Sequence, residues 1–318
     1  MKVKNPIYPY KFKNVKPASQ KGIQKVSKKN LKDFSSALVF FKVLTTPFGF
    51  VAGFKMIFVS AFKFFLPQYL QVIHLKHIPV KHVDHELDQT IPYKPEYISV
   101  YLDFVHFWLR PLTMLTTRYG WWNGSKHACE FLAYITQSYS DAYDLYKKCF
   151  TTTCRPKEKN NKTLRKTQKA DPHFMCVPSL HICVCVLTIR FYKMFFEREH
   201  FTQEESEKWN KELFAGGMKI AESVLYLKQH SVNCIPAAMY MMSKQFPVLF
   251  SPEVAVEFAE HFLSDASDIS KENIDKIHEH LLFTYERFLL EGLQCDSWTE
   301  PILNWLNTYI PYTSNTKS

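Results

Sequence analysis

The stretch from Phe174 to about Phe196 constrains this chain most: it opens FMCVPSLHICVC and stays strongly apolar to its end. Proline fixes a helical φ and lacks an N–H that a first turn leaves unpaired anyway, so Pro178 is expected at the first helical position. Ser179, Leu180 and His181 then occupy the first turn, where free backbone N–H groups and the helix dipole attract an anion. A hydroxyl, an N–H and an imidazole converge on one point. Aromatic residues make up 16% of the 318 and glycines number only 8, which favours helices over a turn-rich β fold. The expectation is an all-α fold.

The net charge of +10 is segregated along the chain. Residues 1–33 hold ten lysines against the single acid Asp33, and residues 155–169 add seven bases against Glu158. Residues 251–318 reverse the balance, with twelve acids against four bases. The pattern divides the chain into a basic N-terminal arm (1–33), a helical core (34–250) and an acidic helical appendage (251–318). A polylysine arm beside apolar segments fits an anionic membrane surface better than a base-reading surface, so no nucleic-acid partner is expected. A solvated tail accounts for the same lysines. Eight cysteines are present without zinc-type CxxC pairing, and neither a metal nor a cofactor is expected.

Residues 34–66 are apolar and aromatic, interrupted by Lys42, Lys55 and Lys63, with Pro47 and Gly49 splitting the run. A kinked membrane helix and an amphipathic helix lying in the interface both fit this stretch. Residues 75–85 read as a polar link, and 97–117 as an apolar helix with Asp103 and Arg110 on one face. Trp121 to Gly124 reads as an interfacial turn, 129–148 as a helix with an aromatic stripe, and 155–169 as a basic loop. Helices are expected over 213–228 and 232–250, joined by a tight break. Amphipathic spacing predicts three more over 252–263, 272–290 and 299–309. No apolar run is a clean charge-free span and the mean hydropathy is -0.22, which counts against a typical multipass protein; the basic arm and the apolar run beside it still place the expected location at a membrane, embedded or tightly associated.

Two stretches flank the central one. Upstream, KCFTTTCRP places Lys148 and Arg155 before Pro156, which favours an extended Arg155. An ammonium and a guanidinium fork suit a phosphate. Downstream, SVLYLKQHSVNC sets Ser223 and His230 seven residues apart, two turns along one helical face. Together the three resemble the motif set of the type-2 phosphatidic acid phosphatase superfamily, which includes bacterial acid phosphatases and vanadium haloperoxidases. The set is Lys-six residues-Arg-Pro, Pro-Ser-x-His, and Ser-Arg-five residues-His-three residues-Asp. The first two motifs are complete, and the resemblance spans about residues 88–250. The third departs twice: Val224 stands at the arginine and Cys234 at the aspartate. YLKQH, residues 226–230, is similar to the inositol phosphorylceramide synthase branch, in which Lys228 could supply the missing cation.

The resemblance implies a helical bundle of the phosphatidic acid phosphatase type and a metal-independent, two-step transfer. His230 would attack phosphorus and His181 would protonate the leaving oxygen, then activate water or an alcohol. Lys148, Arg155, Ser179, Ser223, Lys228 and the Leu180 N–H would hold the phosphate oxygens. The family aspartate orients its histidine, a role that falls here to Cys234 or the neighbouring Asn233. The preferred function is hydrolysis of a lipid phosphate monoester or pyrophosphate. A phospho-headgroup transferase and a degenerate, non-catalytic relative that binds lipid phosphate stand as alternatives.

Overall fold

The computed structural model describes residue 12 and residues 15–313, and these are mostly helical. α1 (Gln20–Val26) starts from Ser19, whose hydroxyl accepts from the Gly22 N–H at 3.1 Å. A Cβ on Gly22 would lie 2.0 Å from the Arg118 carbonyl oxygen, so only glycine lets α1 settle there. Val26 and Leu31 are buried, and the indole of Trp209 donates to the Lys29 carbonyl at 3.0 Å. Much of the expected basic arm is therefore folded onto the bundle. Residues 1–11, 13 and 14 lie outside the described residues.

α2 (Val39–Leu44) ends before Thr46, which caps α3 (Pro47–Val59), so the apolar run does break at Pro47. α3 continues through a π-helical turn (Ser60–Phe65) into α4 (Leu66–Val72). Pro67 has no N–H to give the turn behind it, and the ladder widens at that point. Pro47–Val72 is one helix long and apolar enough to cross a membrane. Its small residues Gly49, Ala52 and Gly53 are buried, while Phe50, Phe54, Phe58 and Phe62 are exposed.

The expected polar link contains β1 (Val80–His82), which runs parallel to β2 (Phe150–Thr152) with His82 opposite Thr152. α5 (Ile98–Arg118) carries the bidentate Asp103–Arg110 pair on one face, at 2.6 and 2.8 Å. The turn after it is made by Gly120, at φ +76°, so Trp121 to Gly124 belong to the start of α6 (Gly120–Tyr146) rather than to a turn. α7 (Lys162–Ala170), capped by Asn161, replaces part of the expected basic loop. Then come α8 (Leu180–Arg198), α9 (Gln203–Tyr226), α10 (Cys234–Gln245), α11 (Pro252–His261), α12 (Lys271–Glu291) and α13 (Thr299–Thr308).

From Ile182 to Ile189 α8 is apolar apart from Thr188 and buried all round, and such a stretch must be enclosed. It packs against α5, α6, α9 and α10 and is the axis of the bundle. One continuous core joins these helices to Leu281, Tyr285 and Phe288 of α12 and to Trp305 of α13. The acidic C-terminal segment thus shares the main core.

Candidate functional site

The site is built at the N-terminal end of α8. Residues 174–177 run beside β2: the Thr151 N–H donates to the Phe174 carbonyl, the Cys176 N–H to the Thr151 carbonyl, and the Val177 N–H to the Thr151 hydroxyl. This leaves Pro178 one residue before the helix cap, not at the first helical position. Ser179 is the cap, and its Oγ accepts from the Ile182 N–H at 3.5 Å. Leu180 and His181 then open the helix.

His230 arrives from the other side. α9 ends in a Schellman turn: the Lys228 N–H donates to the Leu225 carbonyl and the Gln229 N–H to the Val224 carbonyl, at 2.9 and 2.8 Å. Lys228 is the left-handed residue of that turn, at φ +54°. Ser223 and His230 consequently do not share a helical face. The next residues are tied to the buried carboxylate of Asp88, which accepts from the Val232 N–H at 2.8 Å.

The two histidine rings stand 5.7 Å apart, centroid to centroid. His230 Nδ1 lies 3.2 Å from the Cys176 carbonyl, which can only accept, so in the neutral ring Nδ1 carries the proton and Nε2 the lone pair. Nε2 faces the Ser179 hydroxyl at 3.5 Å. His181 lies between the rings of Tyr101 and Phe104, at 4.7 and 4.6 Å. Burial lowers its pKa to about 4. Burial, aided by His181 and His173, holds His230 well below the ordinary imidazole value. Both rings are neutral at pH 7, and the His230 Nε2 lone pair is turned to the Ser179 hydroxyl.

The histidines line a cavity of about 260 Å³ together with Leu180, Asp171, Gln229 and aromatic side chains from α5, α6 and the π turn. Its rim includes Phe65 and Val105, which are also part of the exposed apolar surface. Arg155 stands behind the cavity wall. Its guanidinium reaches Gln229 Oε1 at 2.8 Å, Asp171 Oδ2 at 3.1 Å, and the carbonyls of Gln168 and Asp171.

The expected cluster is only partly assembled. His181, His230, Ser179 and Leu180 meet, with Arg155 beside them. Lys148 donates to the Thr299 hydroxyl at 2.9 Å, at the start of α13. The Lys228 ammonium is bound by the carbonyls of Asp88 and Ile91, because a left-handed backbone turns its side chain from the cavity. Ser223 is buried and returns its hydroxyl to the Ile220 carbonyl. Asn233 does not hold His230. Its amide donates to Val83 and Tyr309 and accepts from His280, tying the C-terminal helices to the core. Cys234 is buried, and its carbonyl rather than its thiol meets the Ser179 N–H, at 3.4 Å.

The sequence reading missed Asp171, Gln229 and the Cys176 carbonyl. Gln229 stood inside the KQH motif and Asp171 beside Pro172, close before the Pro-Ser-x-His motif; a backbone carbonyl leaves no trace in side-chain patterns. No protein-family model, curated protein or solved structure matches this chain, so the site rests on its own geometry.

Proposed function

We propose that the cavity transfers the phosphoryl group of a lipid phosphate to water through a phosphohistidine on His230. Nε2 attacks phosphorus as the ester P–O bond breaks, and protonated His181 gives its proton to the leaving oxygen. Water then loses a proton to His181 and attacks phosphorus, releasing phosphate and restoring His230. The observation that carries this reading is the Nδ1–H bond from His230 to the Cys176 carbonyl. It sets the tautomer that the reaction needs and does the orienting work of a carboxylate without its charge. The apolar rim supports a substrate whose hydrocarbon part lies along the exposed helix from Pro47 to Val72.

A second reading, binding of lipid phosphate without turnover, is favoured by the neutral Cys176 carbonyl at Nδ1, which gives a His230 imidazolium no counter-charge. With Asp171 neutralising Arg155, and Lys148 and Lys228 engaged elsewhere, little charge is left to stabilise a transition state. The experiment is phosphate release from short-chain phosphatidic acid by the purified protein in detergent. His230→Ala and His181→Ala should each lower it by at least about 10²-fold. Near-wild-type release by His230→Ala removes the phosphohistidine; wild-type binding without release establishes the second reading.

A further inference from the structure

Three potential metal ligands converge away from the histidine cavity, at the end of the β1–β2 pair. His82 closes β1 opposite Thr152, and in extended chain alternate residues share a face. Asp84 lies two residues beyond His82 and Cys154 two beyond Thr152, so all three face the same way. The Cys154 N–H donates to Asp84 Oδ1 at 2.7 Å, fixing the loop after β2 against the carboxylate. His82 Nδ1 is 3.5 Å from Asp84 Oδ2 and 3.8 Å from Cys154 Sγ, and the three donor atoms lie within 4.8 Å of one another.

Asp84 is 7% exposed, and its buried Oδ2 accepts no hydrogen bond among the described residues, with His82 Nδ1 at 3.5 Å as its polar neighbour. A carboxylate oxygen in that position wants a cation. A nucleophilic Cys–His–Asp relay does not fit, because thiol and carboxylate both address Nδ1, whereas a relay uses the two ring nitrogens separately. Convergence on one point is what a metal ion requires. Tetrahedral zinc with ordinary bond lengths sets its sulfur and nitrogen ligands about 3.5 Å apart and its nitrogen and oxygen ligands about 3.4 Å apart. The observed 3.8 and 3.5 Å need only slight contraction, and the sulfur–oxygen separation, within 4.8 Å, closes by at most about 1.2 Å.

We propose that His82 Nδ1, Asp84 Oδ2 and Cys154 Sγ bind one zinc ion, with the fourth position open to solvent. The sulfur–nitrogen–oxygen donor set selects a borderline-soft divalent ion over magnesium or calcium. Binding forms a zinc–sulfur bond as the Cys154 thiol releases its proton to solvent, with no change of oxidation state. His82 and Cys154 are exposed, so the ion has a direct path in. Cys154 stands 70 residues from Asp84 in sequence, beyond the reach of any spacing pattern.

The test uses the full chain, stripped with a chelator under reducing conditions and titrated with Co²⁺, then with Zn²⁺ against a chromophoric chelator. One equivalent should bind, and Co²⁺ should give a thiolate charge-transfer band in the near ultraviolet. His82→Ala and Cys154→Ser should each weaken zinc binding by at least about 100-fold, since loss of mere supporting groups already costs 10–100-fold. Cys295→Ser, at the other partly exposed cysteine, should leave binding unchanged, and circular dichroism should show all three variants folded. Absence of the thiolate band overturns the site. So does wild-type affinity in either ligand variant, or weakening by Cys295→Ser equal to that by Cys154→Ser.

Discussion

At the scale of single residues, the proposed chemistry depends on which atoms the two histidines offer. His181 is held at a pKa of about 4 by burial, so at pH 7 only about one ring in a thousand is protonated. As the pH falls towards 5 that fraction rises about a hundredfold, while His230, lowered further, stays neutral. Phosphate release should therefore increase as pH falls from 7 to 5, measured in the cavity's first turnover; a rate that rises instead towards pH 8 removes His181 as the acid. Asp171 opposes an anion from the cavity wall. Asp171→Asn removes that charge and keeps the backbone carbonyl bond to Arg155, so affinity for a short-chain lipid phosphate should rise by about tenfold. Unchanged affinity would mean that the phosphate does not lie near Arg155. Cys234→Asp should restore nothing, because Nδ1 of His230 already has its carbonyl partner. A carboxylate buried at that position should cost at least about 2 kcal/mol in chemical denaturation. Higher activity in that variant would show that the thiol side, not the Cys176 carbonyl, faces the histidine during catalysis.

At the scale of elements, local chemistry explains both what was legible in the sequence and what was not. α5 and the three C-terminal helices lie within a few residues of their expected spans, because apolar periodicity and caps are written locally. α9 starts within the polar, acidic stretch 201–208 that reads as a loop plus a helix start, at a capping box: Thr202 Oγ accepts from the Glu205 N–H and Glu205 returns a bond to the Thr202 N–H. Thr202→Ala should cost about 1 kcal/mol in thermal or denaturant unfolding; a neutral effect would show that the tertiary contacts of Glu205 alone fix the start. The histidine pair was legible because two short motifs bring their own turns with them. The cations were not. The direction of Lys148 depends on Thr299, far along the chain, and that of Lys228 on the left-handed residue ending α9. A helical wheel drawn through 223–230 assumes that the helix continues, and the Schellman turn ends it. The three-residue strands pair across seventy residues with too little alternation to register.

At the scale of the molecule, the exposed apolar helix and the docked lysines make different claims about a membrane. Deleting the arm through residue 32 is a poor test, because it removes Gly22, Val26 and Leu31 from their packing against the bundle. Substituting exposed side chains separates the contributions without that damage. Lys16, Lys21, Lys25 and Lys28 are exposed, and about 1 kcal/mol per lysine near an anionic surface adds up to roughly 10³-fold in vesicle binding at low salt. Phe50, Phe54 and Phe58 lie on the exposed side of α3, with Trp121 and Trp122 exposed near its start. Insertion of the phenylalanines should bind neutral and anionic vesicles alike, since apolar transfer is insensitive to headgroup charge. The triple change to serine should abolish binding to neutral vesicles and leave a salt-sensitive remnant on anionic ones. The four lysine-to-glutamine changes should do the reverse, sparing neutral vesicles. If the phenylalanine variant binds neutral vesicles as well as wild type does, the helix does not enter lipid. The rim at Phe65 and Val105 then has no hydrocarbon to receive, and the lipid reading of the cavity loses its support.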